Sequence, residues 1–432
     1  MSNSLISYDI PPVVYNSPVK LHSTLSGLAN VLLIAQPYLA FPVFLSVLLG
    51  TPPLWLSWSI ALIPLPLRFF LTGHLTRRTP FDLAIVISVA AVLLGFFVSP
   101  DRQLASQLLQ TYLACVLFYY GFINNSRAGR WYWWLVAAFI SLVLVFLSVW
   151  QLSGGVGKHV MFNSWIYELA SGLSLSLNTY VDSNVIGASL SVIIPTLVGV
   201  ALSTQRVGVR WGAGLLAALF TVILALSASG GGWIAATAGV LIVFLFHRSR
   251  IYVAAFAGLA ALIGATFPVW HNASWVSTVF SVTGIVNRSH IWQSTIDSLL
   301  NHPFTGLGLG GYWTYVTDRS PLGGPHNAYL QLHADTGVIG IIALILAAII
   351  FFKIFWWILH SDKNSPGYGI ALGIAAGIIS GGVHALVDVN TNVYIPMEEN
   401  CLYFAVPFIW LWAALLVVVY QRLKVSEGIT SG

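Results

Sequence analysis

The chain's proton-handling residues crowd one stretch, "GGPHNAYLQLHADTGVIG", residues 323–340. His326, Asn327, His333 and Asp335 lie within it, and a run of about twenty apolar residues, long enough to span a bilayer, follows at once. An unperturbed imidazole titrates near neutral pH, so a histidine held at a water–lipid boundary can take a proton from a hydroxyl. Two other readings fit the same residues. His326, His333 and Asp335 could ligate a metal, although a seven-residue gap suits two ligands of one ion poorly. Alternatively, the two histidines are unrelated interfacial side chains. Gly323, Gly324 and Pro325 form a turn with proline pre-set for a helix start. A short helix should then carry His326, Leu330 and His333 along one side at i, i+4 and i+7, until Gly337 interrupts it.

A second group lies just upstream. "IVNRSHIWQSTIDSLLN", residues 285–301, reads as an amphipathic helix whose apolar stripe is Ile291, Trp292, Ile296, Leu299 and Leu300. Such a helix can lie on a membrane surface with Trp292 at headgroup level and Arg288 as a solvated or headgroup-bound cation. "TGLGLGGYW" follows, and Gly306, Gly308 and Gly311 satisfy the G-x-G-x-x-G spacing of dinucleotide sites. No strand precedes it, so a tight turn that brings backbone close to a neighbour is the better reading. Near the end, "HALVDVNTNVYIPMEEN" sets His384 and Asp388 one helical turn apart, as a structural hydrogen bond or a functional pair. Glu398 and Glu399 are an exposed pair, or metal ligands if a divalent ion is used.

The elements that must hold these residues follow from composition. Of 432 residues, 57% are hydrophobic and 7% charged, against about 25% charged in soluble domains. The chain is therefore a polytopic, all-α membrane protein. Twelve spans are expected near 24–49, 53–72, 81–99, 105–122, 132–151, 184–203, 210–228, 231–247, 251–268, 336–359, 367–388 and 402–421. The expected organisation is a tail at 1–23, nine membrane helices over 24–268, a large helical extracytoplasmic loop at 269–335, three helices over 336–421 and a tail at 422–432. Residues 1–23 lack the pattern of a cleavable signal peptide. Cys115 and Cys401 fall in or beside different spans and imply no disulfide framework.

Orientation follows from the positive residues, which are retained on the cytoplasmic side. With both termini inside, the outer side keeps only Arg102, Lys158, Arg288 and Arg319 of the eighteen Lys and Arg residues. The net charge of +5 thus reflects topology, and no nucleic-acid partner is implied. Two of the four outer cations lie in the 269–335 loop, where the histidines also gather. The middles of the spans are nearly free of charge, which argues against a secondary transporter with ionisable groups at mid-depth.

The loop residues resemble a known family, the bacterial O-antigen ligases and the related O-antigen polymerases. "NRSHIWQSTIDSLLNHPFTGLGLGGY" is similar to the family's Arg–x–x–hydrophobic–Trp helix followed by Pro–x–x–Gly–x–Gly. "HNAYLQLHADTGVIG" looks like its His–Asn–x–x–Leu…Gly–x–x–Gly segment, and "DSNVIGASLSVIIP", with Asp182 and Asn184, like its segment before a middle span. The layout of twelve spans and one large outer loop matches as well. One departure stands out: where many members have a Ser–Arg–Gly turn, "LSASGGGWIA" has Gly230. Arg319 or Lys158 would then have to supply that cation.

The resemblance implies glycosyl transfer on the periplasmic face of the inner membrane, without a metal or other cofactor and without a nucleotide. The donor would be an undecaprenyl-diphosphate-linked glycan. The acceptor would be a sugar hydroxyl of lipid A–core for a ligase, or another lipid-linked repeat for a Wzy-type polymerase; a protein side chain is a further alternative. His326 would be the base and Arg288 the diphosphate contact. Asn327, Asn184, Asp182, Trp292, Gly308, Arg319, Lys158, His384 and Asp388 would contact substrate, in a setting of membrane lipids. A transporter of lipid-linked sugars and a metal-dependent transferase using Asp182, Asp388, Glu398 or Glu399 remain competing readings.

Overall fold

Apolar runs separated by proline, glycine and arginine turns fold as helices throughout the residues that the computed structural model describes. These are 36, 55–124, 183–226, 229–247, 282–315, 324–365, 367–387 and 405–427. The described helices are α1 (Trp55–Leu62), α2 (Pro64–Thr72), α3 (Asp82–Val98), α4 (Arg102–Asn124), α5 (Ser183–Ser203), α6 (Val207–Leu226), α7 (Gly230–Phe246), α8 (Val282–Leu300), α9 (Tyr312–Tyr315), α10 (Ala328–His360), α11 (Tyr368–Ala385) and α12 (Ala405–Ser426). No strand occurs among the described residues.

Four of these helices contain segments long and apolar enough to cross a membrane: Ile186–Ser203, Val207–Leu224, Ala328–His360 and Tyr368–Ala385. Shorter apolar helices cover Trp58–Leu71, Asp82–Val98 and Gly230–Phe246. The chain is a multi-pass membrane protein, all-helical among the described residues. The expected spans 24–49 (save Gln36), 132–151 and 251–268 lie outside the described residues.

Two expected elements differ in detail. The span expected over 53–72 is two helices, α1 and α2, because Pro64 opens the second and cannot donate a backbone hydrogen bond back into the first. The short helix expected after Pro325 and the span expected at 336–359 form one 33-residue element, α10, bent at Gly337 (φ 62, ψ −160). A side chain there would collide with neighbouring backbone, since a Cβ on Gly337 would lie 2.0 Å from the Phe304 carbonyl oxygen.

Helices α5, α7 and α11 form the most tightly packed group. Hydrocarbon tails are as apolar as leucine, so helices associate in a membrane chiefly by close packing of small residues. Gly369, Gly373, Gly377 and Gly381 fall at every fourth position of α11 and line one face. A Cβ on Gly199 of α5 would lie 2.4 Å from the Gly369 oxygen, and one on Gly377 2.4 Å from the Val192 oxygen. Hydrogen bonds cross the same seam. The Trp412 indole donates to the Thr196 hydroxyl at 2.8 Å, and that hydroxyl lies 3.2 Å from the Gly373 carbonyl oxygen. The Ser380 hydroxyl donates to the Ala235 carbonyl.

A second group pairs α10 with α3. Helices α4 and α12 join the two groups: α12 packs on α4 and α11, and α4 on α3.

Candidate active site

His326 does not begin a helix. It sits in a turn where Gly324 has φ 41 and His326 itself φ 48, the one non-glycine residue at positive φ among the described residues. This corrects the expectation that His326, Leu330 and His333 share a helical face. The helix starts at Ala328 because the Asn327 side chain caps it, accepting from the Tyr329 and Leu330 amides at 3.0 and 3.1 Å. The capping residue has extended backbone, as such positions require, and His326 precedes it.

A left-handed histidine costs about 1–2 kcal/mol relative to right-handed backbone, so its surroundings must hold it there. Three hydrogen bonds do so. The Trp292 indole donates to the Pro325 carbonyl at 2.8 Å. The Asn327 amide group donates to the Leu386 carbonyl at 3.1 Å, beyond the end of α11. The Tyr329 hydroxyl donates to the Gly382 carbonyl at 2.9 Å. The His326 side chain is buried.

The Trp292 indole, expected at headgroup level, spends its one donor on the histidine turn. Arg288 lies one helical turn before Trp292 on α8 and is partly exposed. Four residues of helix rise by about 6 Å, so the clamp brings Arg288 and His326 into one neighbourhood. The buried face of α8 also differs from the expected stripe. Ile291, Thr295 and Leu299 are buried, and Leu307, Tyr312 and Ala334 complete their cluster, whereas Ile296 and Leu300 are exposed. Thr295 tolerates burial because its hydroxyl donates to the Ile291 carbonyl at 2.6 Å.

The glycine turn after α8 is a wedge between helix ends. The Leu307 amide donates to the Ala334 carbonyl at 2.6 Å and the Leu309 amide to the Gly95 carbonyl at 3.0 Å. The Ser99 hydroxyl donates to the Leu309 carbonyl at 2.7 Å. Gly308 (φ 83) is packed on Ser99, where a Cβ would come within 2.7 Å of its backbone. The close backbone approach expected of this turn is thus made to protein.

Sequence reasoning missed the role of Asp335. Its buried carboxylate accepts from the Gly310 amide at 3.1 Å and from the Gln331 side chain at 3.0 Å, clasping the wedge to α10. The i, i+4 spacing of Gln331 and Asp335 was the available signal. The His333 ring instead lies 3.4 Å from the Pro303 carbonyl oxygen. His333 and Asp335, two of the three candidate metal ligands, thus engage separate partners.

On the far side of the turn, His384 is fully buried in the last turn of α11. A Cβ on Gly231 would lie 3.5 Å from its ring, and one on Gly232 2.7 Å from Gly187 Cα. The Ser229 side chain caps α7 by accepting from the Gly232 amide at 3.2 Å, and its hydroxyl lies 3.3 Å from Asn184 Oδ1. The run "GGG" therefore lets the start of α7 pass beneath His384 and against α5, where the resemblance led us to expect an arginine. Trp292 and Asn327 thus hold the two sides of the His326 turn, Ser229 joins Asn184 to the start of α7, where Gly231 lies against His384, and Arg288 stands one turn before Trp292 on α8. Gly308 lies in the glycine wedge. Asp182, Lys158, Arg319 and Asp388 lie outside the described residues.

Comparison with known proteins bears on this set. Residues 215–345 match the model of the O-Antigen ligase family, a stretch that contains α8, the glycine wedge and the His326 turn. The exopolysaccharide production protein ExoQ of Rhizobium meliloti (strain 1021) is 24% identical over 275 residues, covering 57% of this chain and 61% of that protein. The match thus spans less than two thirds of that relative. Residues 215–345 of the chain are thus similar to the O-Antigen ligase family, and they hold the turn and the helix that carry the candidate site.

Proposed function

We propose that the protein transfers a glycan from an undecaprenyl diphosphate carrier to a sugar hydroxyl of lipid A–core, at the periplasmic face of the inner membrane. The layout behind this reading is twelve spans with residues 269–335 outside. The observation that carries it is the Trp292–Pro325 bond at 2.8 Å, which fastens the Arg288 helix to the His326 turn inside the matched domain.

In this reading the acceptor hydroxyl attacks the anomeric carbon while His326 takes its proton. The bond from that carbon to the diphosphate oxygen breaks, and undecaprenyl diphosphate leaves. Arg288 donates to phosphate oxygens in bidentate fashion and keeps its charge at any working pH. It stabilises the charge that grows on the leaving group, the larger electrostatic contribution in such a step. The diphosphate linkage supplies the driving force, so neither nucleotide nor cofactor takes part, and no metal is called for. Both substrates are anchored in the membrane, so only their polar heads need meet at the turn. Asn184, His384, Asn327, Arg319, Lys158, Asp182 and Asp388 serve in this reading as further substrate contacts.

A second reading is favoured by the name of the relative, an exopolysaccharide production protein. Here the acceptor is another lipid-linked repeat and the product a longer polymer.

The deciding experiment supplies purified protein with undecaprenyl-diphosphate glycan, with and without lipid A–core, in the presence of chelator. Glycan joined to lipid A only when that acceptor is present is the expected result. Arg288→Ala and His326→Ala should each lower the rate, the latter by about 10²–10⁴-fold as for a general base. Longer lipid-linked chains without lipid A–core would establish the polymerase. No cleavage of the diphosphate linkage under any condition would overturn both.

A further inference from the structure

One side of α10 is left uncovered by the rest of the chain. Ile342, Ile345, Ile349, Phe352 and Trp356 recur along it at spacings of three and four, each 49–66% exposed. Because α10 is long and apolar enough to cross a membrane, an uncovered apolar stripe on it meets hydrocarbon, which is as apolar as leucine. Lys353 is exposed beside this stripe and is the one Lys, Arg, Asp or Glu between Gly337 and His360.

The depth of Lys353 follows from helix geometry. From Gly337 to His360 the arm rises about 34 Å at 1.5 Å per residue, against roughly 30 Å of hydrocarbon. Lys353 stands about 10 Å from the His360 end on the same rise, so its Cα lies inside the hydrocarbon. A charge at that depth is costly and needs a partner or a route to the interface. The residues one turn either side, Ile349, Ile350, Trp356 and Trp357, include no carboxylate. Each Cα–Cβ bond tilts toward the helix N-terminus, here toward the middle of the bilayer, so the lysine stem must turn back to carry its ammonium outward.

The surroundings suit an anion that comes to meet it. A shallow groove of about 450 Å³ is lined by Ile349, Phe352, Lys353 and Trp356. The Trp356 indole is braced by His360, whose ring lies 4.4 Å away between centroids and whose Nδ1 is 2.8 Å from the Trp356 carbonyl oxygen. Tryptophan near the end of a span sits at headgroup level. Apolar side chains, then a cation, then an indole match in order of depth the acyl chain, phosphate and headgroup of a phospholipid. A second copy fits this stripe less well. Two copies with one orientation in the bilayer, joined here about a two-fold axis, would hold their Lys353 ammonium groups at the same depth, like charge beside like charge.

We propose that Lys353 and Trp356 seat the phosphate of an anionic phospholipid in the leaflet opposite the His326 turn, with an acyl chain along Ile349 and Phe352. This seat does not depend on which reaction the protein performs.

The test is native mass spectrometry of the full chain, exchanged into detergent with equal amounts of phosphatidylglycerol and phosphatidylcholine of the same acyl chains. Bound phosphatidylglycerol should exceed phosphatidylcholine by about fivefold, as one lysine near anionic lipid provides. Lys353→Gln and Lys353→Leu should both bring the ratio to one, and Lys353→Arg should keep the excess. Lys363→Gln, at the same end of α10 but outside the groove, should keep it as well. An equal ratio in the wild type, or an excess that survives in Lys353→Gln and Lys353→Leu eluting as folded protein, would overturn the proposal. Loss of the excess in Lys363→Gln would also overturn it, because the preference would then be one of general charge. Competition by inorganic phosphate at the lipid's concentration would make this a site for free phosphate instead. A wild-type dimer that Phe352→Ala separates would give the stripe to a second copy.

Discussion

A histidine backbone held at φ 48 is not chosen by local preference, and its partners say what enforces it. The Trp292 indole reaches Pro325 from 33 positions away and the Asn327 amide reaches Leu386 across 59. Removing the indole donor in Trp292→Phe should cost about 0.5–1.5 kcal/mol of stability yet lower turnover by about 10–100-fold, as small misplacements of a catalytic group do. Steady-state kinetics should show the loss in kcat with the donor KM little changed. Asparagine tolerates left-handed backbone, so His326→Asn should keep the wild-type melting curve and lose transfer. The residue types of this site were legible in the sequence, because histidine and arginine outside a span need an explanation. The backbone at His326 was not, because it is set by bonds from helices distant in the chain.

At the scale of elements, helix boundaries follow from capping and bending residues. Asn327 was read as a substrate contact, and in the structure its side chain caps α10 and ties it to the end of α11. Asn327→Ala should lower stability by about 1 kcal/mol from the lost cap. Asn327→Asp keeps the cap and loses only the donor to Leu386, so thermal melts of the two variants separate those contributions. Gly337 was legible as an interruption, and the reason is now specific. Its φ 62 and ψ −160 fall in a region open essentially to glycine alone, where another residue costs about 1–3 kcal/mol. Gly337→Ala adds a collision with the Phe304 carbonyl and should reduce the yield of folded protein, read by size-exclusion in detergent. Helix α8 was legible as amphipathic, but its buried side was assigned by hydropathy alone. Thr295, which satisfies its own hydroxyl, took an inward place that the apolar stripe gave to Ile296.

Across the molecule, the apolar runs announced membrane helices, and the positions of helix ends did not follow from them. The starts of α5, α7 and α10 and the end of α11 meet around Asn184, Ser229, His384 and Asn327. That meeting depends on the small-residue seam of α5, α7 and α11, whose four-residue spacing is visible in the sequence once the helix partners are known. Gly373→Leu would drive a branched side chain into backbone atoms of Pro195 and Thr196, each 3.0 Å from a Cβ at that position. It should abolish folded protein in a size-exclusion profile, whereas an exposed substitution such as Leu215→Ala on α6 leaves it unchanged.

The bend at Gly337 is jammed and does not swing. With the Phe304 and Thr305 backbone packed into its inner side, α10 is a bent lever whose long arm spans the bilayer and whose short arm carries the histidine turn. A span longer or shorter than its bilayer changes its tilt, and a stiff lever passes that tilt to the short arm. The strain would be felt where the short arm is stapled to α11, at the Asn327–Leu386 and Tyr329–Gly382 bonds. Membrane thickness thereby becomes an input to the site: turnover measured in nanodiscs of graded acyl length should peak at one thickness and fall on either side.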